Sequence, residues 1–481
     1  QEAAMGEVKP VRTVVPEGVV VIREGEVISA DNMRVLDALG MNQIHFNYRR
    51  TLGHGVLVAT FMFVVVSFLG RERPDLYSRP RSLSLIAAIA IFTAFVCRSL
   101  SGFSPFLAPV AVCSVLGSVL VDRRLAILLT AFMSLYLGVM TQSLSITCIG
   151  FVAGVSGILA LGRADHRSHL ISAMLAVAVS YAVGALTFSL IANKVWQSGA
   201  QDIIFGALNG VISVALAVGV LPIMENVFGV TTHFRLLDIS NPGEPLLQKL
   251  LREAPGSYQH SIMVANLSET AAQAIGANAL RCKVGAYYHD IGKMKRPRFF
   301  VENQMGGENP HEKLTPTLST MIIHSHVKDG LEMARQHKLP DVIIDFIAQH
   351  HGTSLVSYFY HQACTRCPEG GTVFQDDFRY PGPTPQSRET GIVLICDSVE
   401  AAARTLASPT PETITELVTK IVRHNLEDGQ LDECGLSLQD LRLIRESLIR
   451  SLQGIYHNRL EYPEPSSLSG RRKVTSIRKK A

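Results

Sequence analysis

Polar and apolar positions divide this chain into three regimes. Residues 1–50 are mostly polar. Val19-Val20-Val21-Ile22 and Glu26-Val27-Ile28 alternate about Gly25 as in a small hairpin, and Ala30-Asp31 opens a helix predicted to run to Gly40. So little apolar surface cannot form a core of its own, and residues 1–50 are expected to be the remnant of an extracytoplasmic domain. Seven apolar stretches follow, at 52–70, 83–97, 105–121, 125–141, 145–161, 169–192 and 203–224. Each comes near the ~20 residues a helix needs to cross ~30 Å of hydrocarbon. Seven in series predict a polytopic helical transmembrane domain over 51–226, with the fourth and fifth spans forming a hairpin through the short Thr141–Leu144 link. From 225 onward apolar residues recur at three- and four-residue spacing, as in Leu441, Ile444, Leu448, Leu452 and Ile455, which is the period of a half-buried helix. Ser437 followed by Asp440 fits a capping box at the start of that helix. Residues 362–388, rich in Gly, Pro and polar side chains, are expected to be a loop. The fold class is therefore all-α, seven spans followed by an all-helical domain over 227–465.

Charge orients the spans. The loops after spans one, three and five carry Arg71, Arg73, Arg79, Arg81, Arg123, Arg124, Arg163 and Arg167; those after spans two, four and six carry Arg98 and Lys194, and Arg49-Arg50 precede span one. Basic residues in short loops mark the cytoplasmic side. Eight against four places the N-terminal segment outside and everything past 225 inside, the expectation being a multi-pass plasma-membrane protein with a cytoplasmic C-terminal half. None of the seven stretches contains Asp, Glu, Lys or Arg. Pumps and ion-coupled transporters place such groups at membrane depth, so the spans read as an anchor or a signal relay. The net charge of +4 is too small to point to a nucleic-acid polymer. The eight cysteines form no disulfide framework, which suits a reducing compartment. Cys364-Thr-Arg-Cys367 has no second pair to complete a zinc site and reads as plain loop. The basic tail over 466–481 is expected to be disordered, with anionic lipid headgroups as its alternative contact. A first residue of Gln rather than Met suggests a fragment or a processed chain.

The candidate chemistry lies past the spans. Nine of the 16 histidines fall between His260 and His361. Among them are His260, the pair His289-Asp290, His324 or His326, and the pair His350-His351, with Asp397 further on. Imidazoles and carboxylates are ligands for zinc, manganese or iron, and seven of them suffice for two ions sharing a bridging carboxylate. Adjacent residues on a regular helix diverge by ~100°, so His289 and Asp290 can flank one site only near a helix end, which Gly292 supplies. His324 and His326 are ~200° apart on a helix, and spacing alone does not choose between them.

His289-Asp-Ile-Gly-Lys293 resembles the signature of the HD-superfamily phosphohydrolases. Longer passages are more specific: Ala254-Pro-Gly-Ser-Tyr-Gln-His-Ser261, Lys295-Arg-Pro-Arg-Phe-Phe-Val-Glu-Asn-Gln304, His326-Val-Lys-Asp-Gly330, Phe378-Arg-Tyr-Pro-Gly-Pro383 and Asp397-Ser-Val-Glu-Ala401. Together they resemble the bacterial seven-transmembrane HD proteins, the PgpH-like cyclic di-AMP phosphodiesterases, over essentially the whole chain. The resemblance implies a metal ligand set of His260, His289, Asp290, His326, His350, His351 and Asp397, choosing His326 over His324, and it implies iron or manganese. Asp290 is expected to bridge the two ions. Lys293 is expected to act in catalysis on a phosphate oxygen, and Arg379 is a second candidate for phosphate. His311 and His361 are expected to support the site or lie on the surface. The expected activity is hydrolysis of cyclic di-AMP to linear pApA, with a homodimer as a further expectation. The alternatives are another nucleotide such as cyclic di-GMP, or a receptor that binds nucleotide without turnover. No Gly-Tyr-Pro triad follows the HD motif, as it does in the cyclic di-GMP branch, and all seven ligands are present.

Overall fold

The computed structural model describes residues 14–16, 19–23, 25–39, 48–162, 166–304, 306, 308–368 and 371–456. The chain divides into two compact units, Gln1–Tyr77 and Ser78–Ala481. The first holds α1 (Ala30–Ala38), capped by the Ser29 hydroxyl on the Asn32 N–H, and α2 (Tyr48–Glu72), the first apolar span. Among the described residues no hairpin forms about Gly25. Gly25 has φ +91° and follows Arg23, whose carbonyl accepts from the Glu26 N–H, so the segment makes a local turn without a strand ladder. The basic tail and Arg163 lie outside the described residues.

In the second unit the membrane part comprises α3 (Pro80–Leu100), α4 (Ala111–Leu120), α5 (Arg123–Thr141), α6 (Leu144–Leu161), α7 (Arg167–Ile191) and α8 (Trp196–Phe228). With α2, six helices among the described residues are long and apolar enough to cross a membrane. The third predicted span is the exception. Pro105 and Pro109 supply no backbone N–H, and the segment becomes a 3-10 turn at Pro105–Leu107 followed by α4, a helix of 10 residues. Unwound backbone at membrane depth must find partners inside the protein. Here the Asn209 amide donates to the Phe106 and Ala108 carbonyls at 2.8 and 2.9 Å, and the Tyr181 hydroxyl donates to Ala108 at 3.2 Å.

Past α8 the chain is helical: α9 (His233–Ile239), α10 (Pro245–Glu253), α11 (Pro255–Ala274), α12 (Ala279–Tyr288), α13 (Pro316–Gln336), α14 (Asp341–Gln349), α15 (Ser357–Arg366), α16 (Arg388–Ala403), α17 (Pro411–Glu427) and α18 (Leu438–Ile455). Among the described residues no strand forms beyond one isolated bridge, Leu355 with Arg379. The loop expected over 362–388 is partly helical. α15 continues through Cys364 to Arg366, and Gln375–Phe378 makes a 3-10 turn. The Ser437–Asp440 capping box opens α18.

Two apolar clusters frame the histidines. One joins α11, α12, α14, α16, α17 and α18 through residues such as Leu267, Ala286, Phe346, Ile395, Val418 and Leu448. The other joins α9, α10, α12, α13 and α14 through Ile239, Leu250, Tyr288, Met333 and Ile347. α12 contributes to both, and its end is where they meet. The Tyr288 hydroxyl donates to the Ile239 carbonyl at 2.7 Å, tying α9 to the residue just before His289. Gly292 then passes so close to α13 that a Cβ there would lie 1.8 Å from the His326 carbonyl oxygen. Only glycine permits that approach, which sets the Asp290 turn beside His326.

Candidate metal centre

Five helices deliver seven side chains to one buried point. His260 sits within α11, His326 within α13 and Asp397 within α16. His289 is the C-cap of α12 and His350 the C-cap of α14, with Asp290 and His351 the residues that follow. Because α12 stops at Tyr288 and Asp290 opens a 3-10 turn over Ile291–Lys295, the divergence of helical neighbours no longer applies. Two helix C-termini also lend partial negative charge, which favours a cation.

Asp290 presents one oxygen to each side. Oδ2 lies 3.3 Å from His289 Nε2 and 3.5 Å from His260 Nε2; Oδ1 lies 3.5 Å from His326 Nε2 and 3.6 Å from His350 Nε2. Asp397 spans the same divide, with Oδ1 at 2.9 Å from His260 Nε2 and Oδ2 at 3.6 Å from His351 Nδ1. Two donor sets result, His260/His289/Asp290 and Asp290/His326/His350/His351, each with its ligand atoms within 4.8 Å of one another.

Ring nitrogens on the far side fix the tautomers. A carbonyl can only accept, so Nδ1 carries the proton in His289 (to Ala286, 2.7 Å), His326 (to Ile323, 2.6 Å) and His350 (to Ile347, 3.0 Å). His260 Nδ1 meets the Glu400 carboxylate at 2.5 Å. Each Nε2 lone pair is thereby aimed inward. His326 and His350 bring their Nε2 atoms to 3.2 Å, an arrangement that needs a shared proton or a cation between them. Burial holds His326 down to about 3, so it stays neutral and available as a ligand. His260 Nε2, His289 Nε2 and both Asp290 oxygens are buried without a hydrogen bond of proper geometry. The residues present therefore fit a metal site.

Around the ligands sits a charged frame. Lys293 Nζ contacts Asp290 Oδ2 at 2.6 Å and Glu302 Oε1 at 3.0 Å, and lies 5.0 Å from the centre of the Phe300 ring. Burial lowers its pKa, but Asp290 and Glu302 more than offset this and keep it charged. Glu302 also accepts from the Ser257 hydroxyl at 2.9 Å. Glu400 is pinned on its other oxygen by Arg404. Tyr380 stacks on His351, with centroids 4.2 Å apart and planes at 26°. The motif reading assigned no role to Glu302, Glu400 or Tyr380. Glu400 was within reach of sequence reasoning, since it lies three residues after Asp397 on one helix and so shares its face. Glu302 was not, because nothing local ties it to Lys293. Glu400→Ala is expected to weaken metal retention about 10- to 100-fold by freeing the His260 ring, with Glu400→Gln intermediate; competition with a calibrated chelator measures this.

The other candidates fall elsewhere. His324 belongs to neither donor set, and its ring lies 4.4 Å from Tyr380. Arg379 does not stand free for a phosphate. Its guanidinium makes a two-pronged contact with Asp428 at 2.7 and 3.0 Å and donates to the Thr353 carbonyl at 2.8 Å, a pairing that ties the 353 turn to the end of α17. His311 is buried between Phe299 and Phe359, with Nε2 donating to the Phe299 carbonyl at 2.9 Å. His361 is exposed on α15.

A buried histidine–aspartate cluster on a helical domain that follows apolar spans defines a multi-pass membrane protein with an HD-type site. The family model described as "7TM receptor with intracellular HD hydrolase" matches residues 48–232, and the HD domain model matches residues 257–402. Over these two segments the chain is similar to the seven-transmembrane HD-domain proteins. It is 38% identical over 467 residues to a Bacillus subtilis protein named cyclic-di-AMP phosphodiesterase PgpH, covering 94% of this chain and 65% of that one. It is 34% identical over 476 residues to the Listeria monocytogenes protein of the same name, covering 96% of this chain and 66% of that one. The chain thus spans slightly under two thirds of the length of these relatives. A crystal structure of the L. monocytogenes PgpH HD domain with cyclic-di-AMP is 50% identical, with TM-score 0.43, covering 45% of this chain and all of that one.

Proposed function

We propose that this chain is a membrane-anchored phosphodiesterase that hydrolyses cyclic di-AMP to linear pApA, using two transition-metal ions, iron or manganese, on the cytoplasmic side of the plasma membrane. The observation that carries the reading is Asp290, a buried carboxylate with one oxygen turned to each of two histidine sets. A set of five imidazoles and two carboxylates suits iron or manganese better than magnesium, which prefers oxygen ligands. The choice of adenine rests on the names of the Bacillus and Listeria relatives. When bound, such ions supply positive charge that acidifies an attacking water and neutralises phosphoryl oxygens.

The chain's own residues do the positioning. Lys293 donates one N–H to Glu302, pairs by charge with Asp290 and has N–H capacity left for a non-bridging phosphate oxygen. Glu302 fixes the ammonium, and the backbone carbonyls behind His289, His326 and His350 hold their rings in one tautomer. Residues 51–226 would anchor the catalytic part, 227–465, at the membrane surface.

The test is the full chain in detergent, loaded with Mn or Fe and given a panel of cyclic dinucleotides. Cyclic di-AMP should yield pApA fastest, and cyclic di-GMP much more slowly. No turnover of any member, or equal turnover of all, overturns the substrate reading. Sidedness is tested separately: a reporter fused after Gly229 should read as cytoplasmic and one between Asn193 and Asp202 as external. The opposite pattern would separate the site from any cytosolic nucleotide.

A further inference from the structure

The last membrane helix runs straight into the soluble helices, and a charged cleft sits at the joint. α8 closes at Gly229 with φ +65°, and Thr232 both caps α9 through its hydroxyl and bonds Glu225 on the final turn of α8. The turn between α13 and α14 lies against this joint, with Lys338 at φ +51°. Between them is a cleft of about 240 Å³, lined by Glu225, Asn226, Gly229, Arg235, Lys338 and Asp341 among others. Arg81, on the first turn of α3, brings Nη1 within 3.9 Å of where a Cβ on Gly229 would lie.

Three features identify an occupant. Ile223 and Val227, on the last turns of α8, are 60% and 69% exposed, so that flank of the cleft faces hydrocarbon in a membrane and the cleft itself sits at headgroup depth. Arg81, Arg235 and Lys338 form no ion pair or side-chain hydrogen bond among the described residues. Two acids line the cleft against the three cations: Glu225, which accepts from the Thr232 hydroxyl and also attracts Arg235, and Asp341; positive charge remains in excess. Unpaired cations at headgroup depth are what an anionic headgroup neutralises.

We propose that this cleft binds the phosphate of an anionic phospholipid headgroup, with Arg81, Arg235 and Lys338 supplying the charge. The site borders the element that leads to the metal centre, since Arg235 is on α9 and the Ile239 carbonyl of α9 holds the Tyr288 hydroxyl.

The experiment reads lipid retention by mass and does not depend on turnover, so it can fail or succeed whatever the substrate proves to be. The full chain in neutral detergent is titrated with phosphatidylglycerol or phosphatidylcholine and examined by native mass spectrometry. The wild type is expected to retain a tightly held phosphatidylglycerol and no phosphatidylcholine. Arg81→Gln/Arg235→Gln/Lys338→Gln is expected to weaken that retention roughly 100-fold, at about fivefold per charge. Lys420→Gln/Arg423→Gln, on α17, should change nothing. If the triple variant does not fold, Lys338→Asn alone, which suits the left-handed turn, should still weaken retention several-fold. Equal retention by wild type and variants overturns the proposal. So does displacement of the lipid by millimolar inorganic phosphate, which would make the cleft a site for free anions.

Discussion

Asp290→Ala is expected to remove the carboxylate common to both donor sets and cut turnover by about a thousandfold or more, about 4 kcal/mol of transition-state stabilisation. The reason is that one side chain faces both donor sets. Any one histidine lost leaves the other set whole, whereas losing Asp290 removes an oxygen from each. Elemental analysis should show metal falling from about two ions per chain to less than one. The fold should survive. Deleting one partner of a buried ion pair costs most when the other is left alone, but Lys293 keeps Glu302 at 3.0 Å. Helical circular dichroism close to wild type, with activity lost, is the expected pair of results. Full activity, or an active wild-type preparation with no bound metal, would sink the two-ion reading.

The second large effect separates two histidines on one helix. α13 is regular from Pro316 to Gln336, so His324 and His326 point to different faces. His326 Nε2 reaches Asp290 and His350, while His324 turns to Tyr380. His326→Ala is therefore expected to lose most activity, about 100-fold or more, together with the ion that His326 would hold. His324→Ala should stay within a few-fold, since it loses only a ring contact beside His351. Both are read as turnover and as metal per chain. Equal losses would mean that α13 is not regular here, and the reverse order would mean that the ligand assignment is out of register by two.

These expectations show how unevenly the site could be read beforehand. The donor residues were legible because their chemistry is local: a His-Asp pair ahead of a glycine, or a His-His pair, is rare enough in an apolar context to stand out. The orienting groups were not. Glu400 meets His260 across 140 positions of sequence, and Glu302 meets Lys293 only because a chain of short 3-10 turns folds back on itself. Arg379 looked like a phosphate ligand because nothing in the sequence announces Asp428 as its partner.

The sequence by itself determined the helical class, the apolar spans, the helix periods after residue 225 and the residue types able to hold metal. Each of these depends on side-chain hydrophobicity, spacing or donor chemistry along one segment. Only the tertiary structure decided the rest. It broke the third span at Pro105 and Pro109, because Asn209 and Tyr181 stand ready to satisfy the freed carbonyls. It turned the Nε2 atoms of His260, His289, His326 and His350 inward, because the opposite ring nitrogens found carbonyls or a carboxylate behind them. It also gave Asp290 its two faces, because α12 ends at the seam of two apolar cores and Gly292 lets the next turn lie against α13. Pairings of this kind depend on which segments pack together, and a linear pattern carries no term for that.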